Sequence, residues 1–268
     1  MNSRSLLRAA ALLASTLCCA GALAQSRAVE KTHVELGLTS IDSDTEDSTS
    51  SGTLGLNLAA TFPIGSYLGA SLSGDFSKTS TRNRDVLGDN PDAEAGSRPS
   101  CNFENSGGNA SLFFRRPNLG RVGVSYGVGN IKSDCDGESV FPLSGADKLK
   151  TDNYRAFAEY YISDFTFGAS YTTTKLEDSD DDLKTTALSA SWYPFDSLKV
   201  SLAGSDLYEE NTYGITVEHQ PEMLGDGLSV WLGFSSTDAE PKTQTINIGI
   251  AYFFGRTATL KDRDRQYR

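Results

Sequence analysis

Residues 54–62 read LGLNLAATF, and in this stretch every second side chain is apolar while those between are small or polar. A repeat of two residues is typical of a β-strand whose two faces meet different surroundings. The same division recurs in residues 165–172, FTFGASYT, where aromatic residues and alanine alternate with threonine, glycine and serine. The pattern predicts strands with one apolar face and one small, polar face.

The two-residue repeat predicts twelve antiparallel strands over the whole chain, with ten or fourteen as alternatives if a short segment is misread. Their connections alternate between tight turns and mostly longer polar loops, and the turns contain the Pro, Gly, Asn and Asp that turn chemistry requires. This alternation is typical of a transmembrane antiparallel meander β-barrel in the outer membrane. The strands are expected near residues 32–41, 53–62, 67–78, 109–115, 121–132, 153–162, 165–176, 184–193, 198–207, 212–220, 228–236 and 245–254.

The first residues predict a secretory signal peptide. Arg4 and Arg8 lie at the start of an apolar run that ends in Ala22-Leu23-Ala24, and the run is short for a membrane-spanning helix of about 20 residues. Removing this segment lowers the net charge from −11 to −13, so a nucleic-acid partner is not expected. The predicted organisation is a signal peptide (1–24), a short leader (25–31), an outer-membrane barrel (32–255) and a basic periplasmic tail (256–268).

The last predicted strand contains Asn247-x-Gly249-x-x-Tyr252-x-Phe254. This motif resembles the terminal-strand signal of porin-like outer-membrane barrels, which the barrel-assembly machinery reads. The resemblance implies that Tyr252 and Phe254 face lipid, with outer-membrane lipid, lipopolysaccharide and that machinery as partners. A secreted soluble barrel would turn its apolar face inward instead, and the repeat alone does not exclude it.

The chain departs from the family pattern because it continues beyond Phe254 into a basic tail. Two interpretations remain open for residues 256–268. The tail either contacts anionic cell-wall polymer or another envelope protein, or it is unstructured and has no function of its own.

Charged residues fall on the predicted inner face of the strands. This is expected, because Arg or Lys at the bilayer midplane costs about 2 to 4 kcal/mol on the lipid face. Strand direction places five of the charged positions at the periplasmic end, where they form either a constriction or a plug. The inward charged positions are Glu35, Asp75, Arg115, Arg121, Arg155, Glu159, Lys199 and Glu218, and all but Asp75, Arg155 and Glu159 belong to the periplasmic group.

A lumen rich in Ser, Thr, Gly and Asn predicts a narrow pore for ions or small solutes. Acidic loops at residues 42–47 and 177–182 predict a mild preference for cations. The alternatives are a closed structural or binding barrel that acts through its extracellular loops and, less favoured, an outer-membrane hydrolase. No enzyme activity is expected, because His33 and His219 fall near the periplasmic ends of strands. No cofactor or metal is expected, since the acidic run 178–182 lacks EF-hand spacing.

Two cysteines, Cys101 and Cys135, remain after Cys18 and Cys19 leave with the signal peptide. They fall in the second and third long loops, which are neighbours in a meander. An oxidising compartment favours a disulfide between them.

Overall fold

A single closed barrel of twelve antiparallel strands forms the molecule, and each strand pairs with its neighbours in sequence while β1 also pairs with β12. This arrangement confirms the predicted all-β meander. A computed structural model describes residues 28–29, 31–45, 49–83, 100–116, 119–135, 148–177, 182–207, 210–224, 227–238, 242–254 and 258–268. The strands are β1 (His33–Thr45), β2 (Thr49–Pro63), β3 (Leu68–Asn83), β4 (Ser100–Arg116), β5 (Gly120–Cys135), β6 (Lys148–Ile162), β7 (Phe165–Leu176), β8 (Leu183–Phe195), β9 (Leu198–Leu207), β10 (Glu210–His219), β11 (Leu228–Asp238) and β12 (Thr243–Phe254).

Several strands on the β1–β6 side extend further toward the extracellular side than the apolar repeat predicts. β4 begins at Ser100 rather than near residue 109, and β3 continues to Asn83. A tilted strand needs only about 9 to 11 residues to cross the hydrocarbon layer, so the remainder of each strand stands in water and carries polar residues on both faces. Much of the long loop expected between residues 79 and 108 is therefore strand.

The two faces of each strand are divided as the sequence predicts. Along β12, Ile246, Ile248 and Ile250 are exposed on the outside, while Ala251 and Phe253 are buried on the inside. A side-chain carbon at Gly249 would collide with the indole ring of Trp231, which explains glycine at that position of the terminal motif. An apolar exterior on a closed barrel places the protein in the outer membrane.

In the part of the chain that the structure describes, helical structure lies at the end of the barrel with the tight turns, which is the periplasmic end in outer-membrane barrels. A short 3-10 turn, Glu222–Leu224, lies between β10 and β11. After β12, an α-helical turn, α1 (Leu260–Asp262), continues as a π-helical stretch over Arg263–Tyr267, and the Thr259 side chain caps its start by accepting from the main-chain N–H of Asp262. No helix in the described part of the chain is long and apolar enough to cross a membrane.

Candidate functional site

An ion pair joins β9 to β10 at the periplasmic end of the lumen. Lys199 and Glu218 are directly opposite each other in the ladder, and Lys199 Nζ lies 2.5 Å from Glu218 Oε2. The hydroxyl of Ser229, on β11, donates to Glu218 Oε1 at 2.9 Å. All three residues are buried, so both charges are balanced inside the barrel wall.

A second charged group lies on β4, β5 and β6. Arg121 donates to Glu159 Oε1 at 2.6 Å, and the hydroxyl of Tyr161 donates to Glu159 Oε2 at 2.7 Å. Arg115 is fully buried and stands opposite Arg121 in the ladder, with its guanidinium carbon 4.7 Å from the ring centre of Phe113. Two neighbouring guanidinium groups beside a single carboxylate require further acceptors.

Those acceptors come from residues 258–268, called the C-terminal segment below. Leu260 and Arg263 are fully buried, and Asp264 and Tyr267 nearly so. The expectation of a free periplasmic tail is therefore corrected for these residues, which lie inside the periplasmic end of the lumen. Their basic side chains find acidic partners on the barrel wall, which a free tail would lack.

Arg268 connects the second charged group to Glu35 on β1. Its Nε and Nη2 atoms donate to the two carboxylate oxygens of Glu35 at 2.8 and 2.7 Å, the forked geometry that suits an arginine and a carboxylate. Its main-chain oxygen accepts from Arg121 Nη1 at 3.0 Å and also from Arg115. One residue thus links β1, β4 and β5 across the lumen.

Asp264 is the acidic centre of the C-terminal segment. Its Oδ2 atom accepts from Lys199 Nζ and from the hydroxyl of Tyr193, each at 2.8 Å. Its Oδ1 atom accepts from Arg268 Nη1 at 2.6 Å. A buried carboxylate is stable only when it is paired in this way, so Asp264 fixes the segment against β8 and β9.

An aromatic cluster supports the same segment beside β12. The guanidinium carbon of Arg263 lies 5.0 Å from the ring centre of Phe253, and its Nη2 atom donates to Ser229 Oγ at 3.1 Å. The ring of Tyr267 meets Phe253 and His33 edge-on, with ring centres 5.6 and 5.7 Å apart. The segment therefore has an apolar contact as well as ionic ones.

Two basic side chains hold the segment to the periplasmic turns. Lys261 Nζ lies 2.8 Å from Asp164 Oδ1 and 3.4 Å from Asp196 Oδ1. The hydrogen bond from Lys261 lowers the pKa of Asp164, and the same bond raises the pKa of Lys261. Arg265 donates to the main-chain oxygens of Ser163 and Phe165 at 2.5 and 2.6 Å.

Part of the predicted leader also enters the lumen. Ala28 and Val29 are fully buried and pack with Phe113 and Phe157, and the main-chain oxygen of Ala28 accepts from Arg115. The predicted signal peptide lies outside the described residues, as does the rest of the leader apart from Lys31.

Asp75 and Arg155 lie higher in the lumen and differ from the charges below. Asp75 is half-buried next to Gly107, and Arg155 is half-buried with its guanidinium carbon 5.6 Å from the ring centre of Phe157. Neither side chain makes a hydrogen bond or ion pair with any residue that the structure describes. The eight predicted lumen positions thus separate into six that join the periplasmic network and two that stand apart.

Cys101 and Cys135 occupy the extracellular ends of β4 and β5, where the ladder pairs them directly. They lie in strands, which corrects their expected position in loops. Directly opposite residues of an antiparallel pair have Cα atoms about 4.5 to 5.5 Å apart, a separation that a disulfide spans. The disulfide itself stays a prediction, because the two side chains are outside what the structure describes.

Other partners in the network are not among the residues selected from the sequence. Tyr161 shares its face of β6 with Arg155 and Glu159, six and two residues away, so the same alternation identifies it as inward. Phe253 and Tyr193 follow the same rule. Asp264 and Arg268 have no such signal, since no repeat extends into the tail.

No family model matches this chain, and no curated protein matches it. Solved structures match its fold across most of its length. An outer membrane channel from Pseudomonas putida F1 matches with a TM-score of 0.61 and 10% identity, covering 88% of this chain and 98% of the other. The translocator domain of the autotransporter NalP from Neisseria meningitidis has a TM-score of 0.57 and 10% identity, covering 83% and 88%. KdgM porin has a TM-score of 0.50 and 6% identity, covering 82% and 99%. These likenesses establish an outer-membrane barrel fold.

Proposed function

We propose that this protein is a narrow pore for ions or small solutes, with a mild preference for cations, and that the C-terminal segment closes its periplasmic end. The observation that carries the proposal is a polar, charged lumen enclosed by an apolar exterior. Among the described residues, Asp75 and Arg155 have no hydrogen-bond or ion-pair partner, so their charged atoms are open to water or a solute.

The size of the barrel supports a pore. Barrels of eight strands are filled by their own side chains, while those of sixteen or more leave an open channel. Twelve strands leave room for a short chain segment, which is what occupies the periplasmic end here. The same space passes water and small solutes when the C-terminal segment moves.

The contacts of the segment favour movement without loss of the barrel. Arg268, Asp264 and Lys261 are held by ion pairs and hydrogen bonds to the wall, and water in a lumen can replace such bonds. Leu260 and Tyr267 are its main buried apolar side chains. Its removal therefore exposes little apolar surface.

The comparisons support the proposal by fold alone. The Pseudomonas putida protein is described as an outer membrane channel and KdgM as a porin. A shared fold does not establish a shared activity at such low identity. It shows that barrels of this shape accommodate transport.

The preference for cations rests on the extracellular ends of the strands. Asp42 and Asp44 are exposed at the end of β1, in a chain of net charge −11. Glu177 and Asp182 stand beside Lys150 and Lys175, with which they pair. Partial pairing leaves a modest excess of negative potential, so we expect a weak preference.

Conductance measurements on two chains test the proposal. The full chain and a chain that ends at Gly255 are reconstituted in planar bilayers, after heat-dependent gel mobility confirms that both barrels are folded. We expect small, infrequent steps from the full chain and larger, sustained steps from the shortened one. A folded, shortened barrel that stays silent contradicts the pore, and a reversal potential favouring anions contradicts the cation preference.

The second candidate is a closed barrel that acts through its extracellular loops, and the filled periplasmic end favours it. Silence of both chains would support that function. A hydrolase has less support from the histidines: His33 is buried beside Phe253, and His219 Nδ1 lies 3.0 Å from the main-chain oxygen of Ser197. Both positions are at the periplasmic end, away from the extracellular face.

A further inference from the structure

Asp75 and Arg155 lie at the same height in the lumen. Asp75 is seven residues beyond Leu68, where β3 begins at the periplasmic side, and Arg155 is seven residues before Ile162, where β6 ends there. Both side chains point inward, because their sequence neighbours Phe76 and Tyr154 are exposed on the outside. A negative and a positive group therefore face one level of the lumen, above the C-terminal segment.

The wall around this pair is neutral. Arg155 stands between Ser125 and Thr172 in the ladder, and Asp75 stands between Asn57 and Gly107. None of these four neighbours carries a charge. The charge of Asp75 and that of Arg155 are therefore balanced by ions or solutes in the lumen.

A third unsatisfied group accompanies the charges. The side-chain oxygen of Asn109 is buried and has no hydrogen-bond partner among the described residues. Asn109 lies on β4, between the strands that carry Asp75 and Arg155, and seven residues before Arg116 at the periplasmic end. The level thus presents a guanidinium donor on one side and two oxygen acceptors on the other.

We infer that this level binds a small zwitterionic solute that carries one carboxylate and one ammonium group. The carboxylate accepts from the guanidinium of Arg155, which the ring of Phe157 supports from one side. The ammonium donates to Asp75 and to the free oxygen of Asn109. This inference rests on the proposed pore only for the route by which the solute arrives.

The spacing of the two charges limits the solute to a small molecule. β3 and β6 are separated by three strand intervals. Three intervals correspond to roughly 14 Å perpendicular to the strands, and the ladder places Thr151, four residues before Arg155, level with Asp75, so the separation along the barrel wall is about 20 Å. Two side chains that reach inward from such positions leave a gap for a few atoms.

Equilibrium binding to the full chain in detergent micelles tests the inference without any conductance. Calorimetry is carried out with glycine, β-alanine and 4-aminobutanoate, which differ in the distance between their charges. Acetate and methylammonium serve as ligands with a single charge. We expect one member of the zwitterion series to bind at least tenfold more tightly than either.

Charge variants assign the two ends of the site. Asp75→Asn and Arg155→Gln are each expected to weaken zwitterion binding at least tenfold. The double exchange Asp75→Arg with Arg155→Asp is expected to restore it, because the solute binds in the reverse direction. Asp152→Asn and Lys132→Gln remove the same charges from the outer face and are expected to leave binding unchanged.

Two results would overturn the inference: single-charge ligands that bind as tightly as the zwitterions, or zwitterion binding unaffected by Asp75→Asn and Arg155→Gln. Gel mobility identifies variants that fail to fold, and the double exchange tests the site if a single variant is lost. A barrel that binds the zwitterion but never conducts contradicts the pore and leaves this site standing.

Discussion

The two charged levels of the lumen differ in how their charges are balanced. At the periplasmic end, Glu218 meets Lys199 at 2.5 Å and Arg268 meets Glu35 at 2.7 Å, so charge is balanced within the protein. At mid-height, neither Asp75 nor Arg155 has a hydrogen-bond or ion-pair partner among the described residues. The first arrangement holds a chain segment in place, and the second is suited to an exchangeable ligand.

The two levels also differ in whether they contribute to stability or to function. Breaking a pair at the periplasmic level leaves a buried charge alone, which is costly. Removing a charge at mid-height breaks no described ion pair, so no other charge loses its partner. Variants at the lower level are therefore expected to alter folding and gating, and variants at mid-height to alter solute selection.

The largest effect is expected from Glu218→Gln. Of its described carboxylate partners, Lys199 then keeps Asp264 alone, and Arg263 loses the Glu218 carboxylate 3.7 Å away. Removing one partner of a buried ion pair costs about 3 to 5 kcal/mol. Urea unfolding in lipid vesicles, followed by the fluorescence of Trp192 and Trp231, measures the loss.

The matched control is Asp75→Asn, which makes the same acid-to-amide change at mid-height. It is expected to change the free energy of unfolding by less than about 1 kcal/mol, because no described pair is broken. Equal losses in the two variants would show that the two levels do not differ in the way described.

The next largest effect is expected at the extracellular end, where we predict a disulfide. Cys101 and Cys135 are opposite in the ladder of β4 and β5. A disulfide there closes a loop of more than thirty residues, worth roughly 3 to 4 kcal/mol on the chain-entropy model. Reduction is expected to lower the free energy of unfolding, measured with urea, by that amount in the native chain and by nothing in Cys101→Ser. Free thiols in unreduced protein from cells would exclude the bond.

The fold could be predicted because the membrane imposes a simple rule on each strand. Leu54, Leu56 and Leu58 face lipid while Asn57 faces the lumen, and this division alone locates β2. The rule fails above the bilayer, where both faces are polar. For that reason β4 extends nine residues earlier than the pattern indicates, to Ser100.

The C-terminal segment could not be predicted because its burial depends on partners far away in sequence. Arg268 and Glu35 are 233 residues apart, and Asp264 and Lys199 are 65 apart. No local repeat encodes such contacts. The inward charges at the ends of β1, β9 and β10 indicated a constriction or a plug, but they did not identify the chain segment that would fill it.

A smaller effect is expected from Arg268→Lys. The lysine keeps the charge but loses the fork that holds Glu35 through two nitrogens. We expect the free energy that holds the C-terminal segment to the barrel wall to fall by about 1 to 2 kcal/mol, which raises the undocked fraction of the segment roughly five- to thirtyfold. Single-channel open probability measures that fraction. Arg116→Lys, the same change at an exposed position, is the control and is expected to leave open probability unchanged.

The smallest effect is expected at the periplasmic turns, where Lys261 meets Asp164 in water. The folded pKa of Asp164 is below its usual value of 3.8, so the stabilisation is present above that pH and is lost as pH falls through the folded pKa. The pKa of Lys261 is raised above 10.5, so its contribution is present below that pH and is lost as pH rises through the folded pKa.

The difference in open probability between the native chain and Asp164→Asn should therefore stay constant from about pH 5 to 9 and vanish only at more extreme values. Asp196→Asn removes the longer contact, at 3.4 Å, and should give a smaller constant difference. If the difference in open probability changes between pH 6 and 8, a group that titrates near neutrality controls the C-terminal segment. The ion pair of Lys261 with Asp164 would then not be what holds the segment at the periplasmic turns.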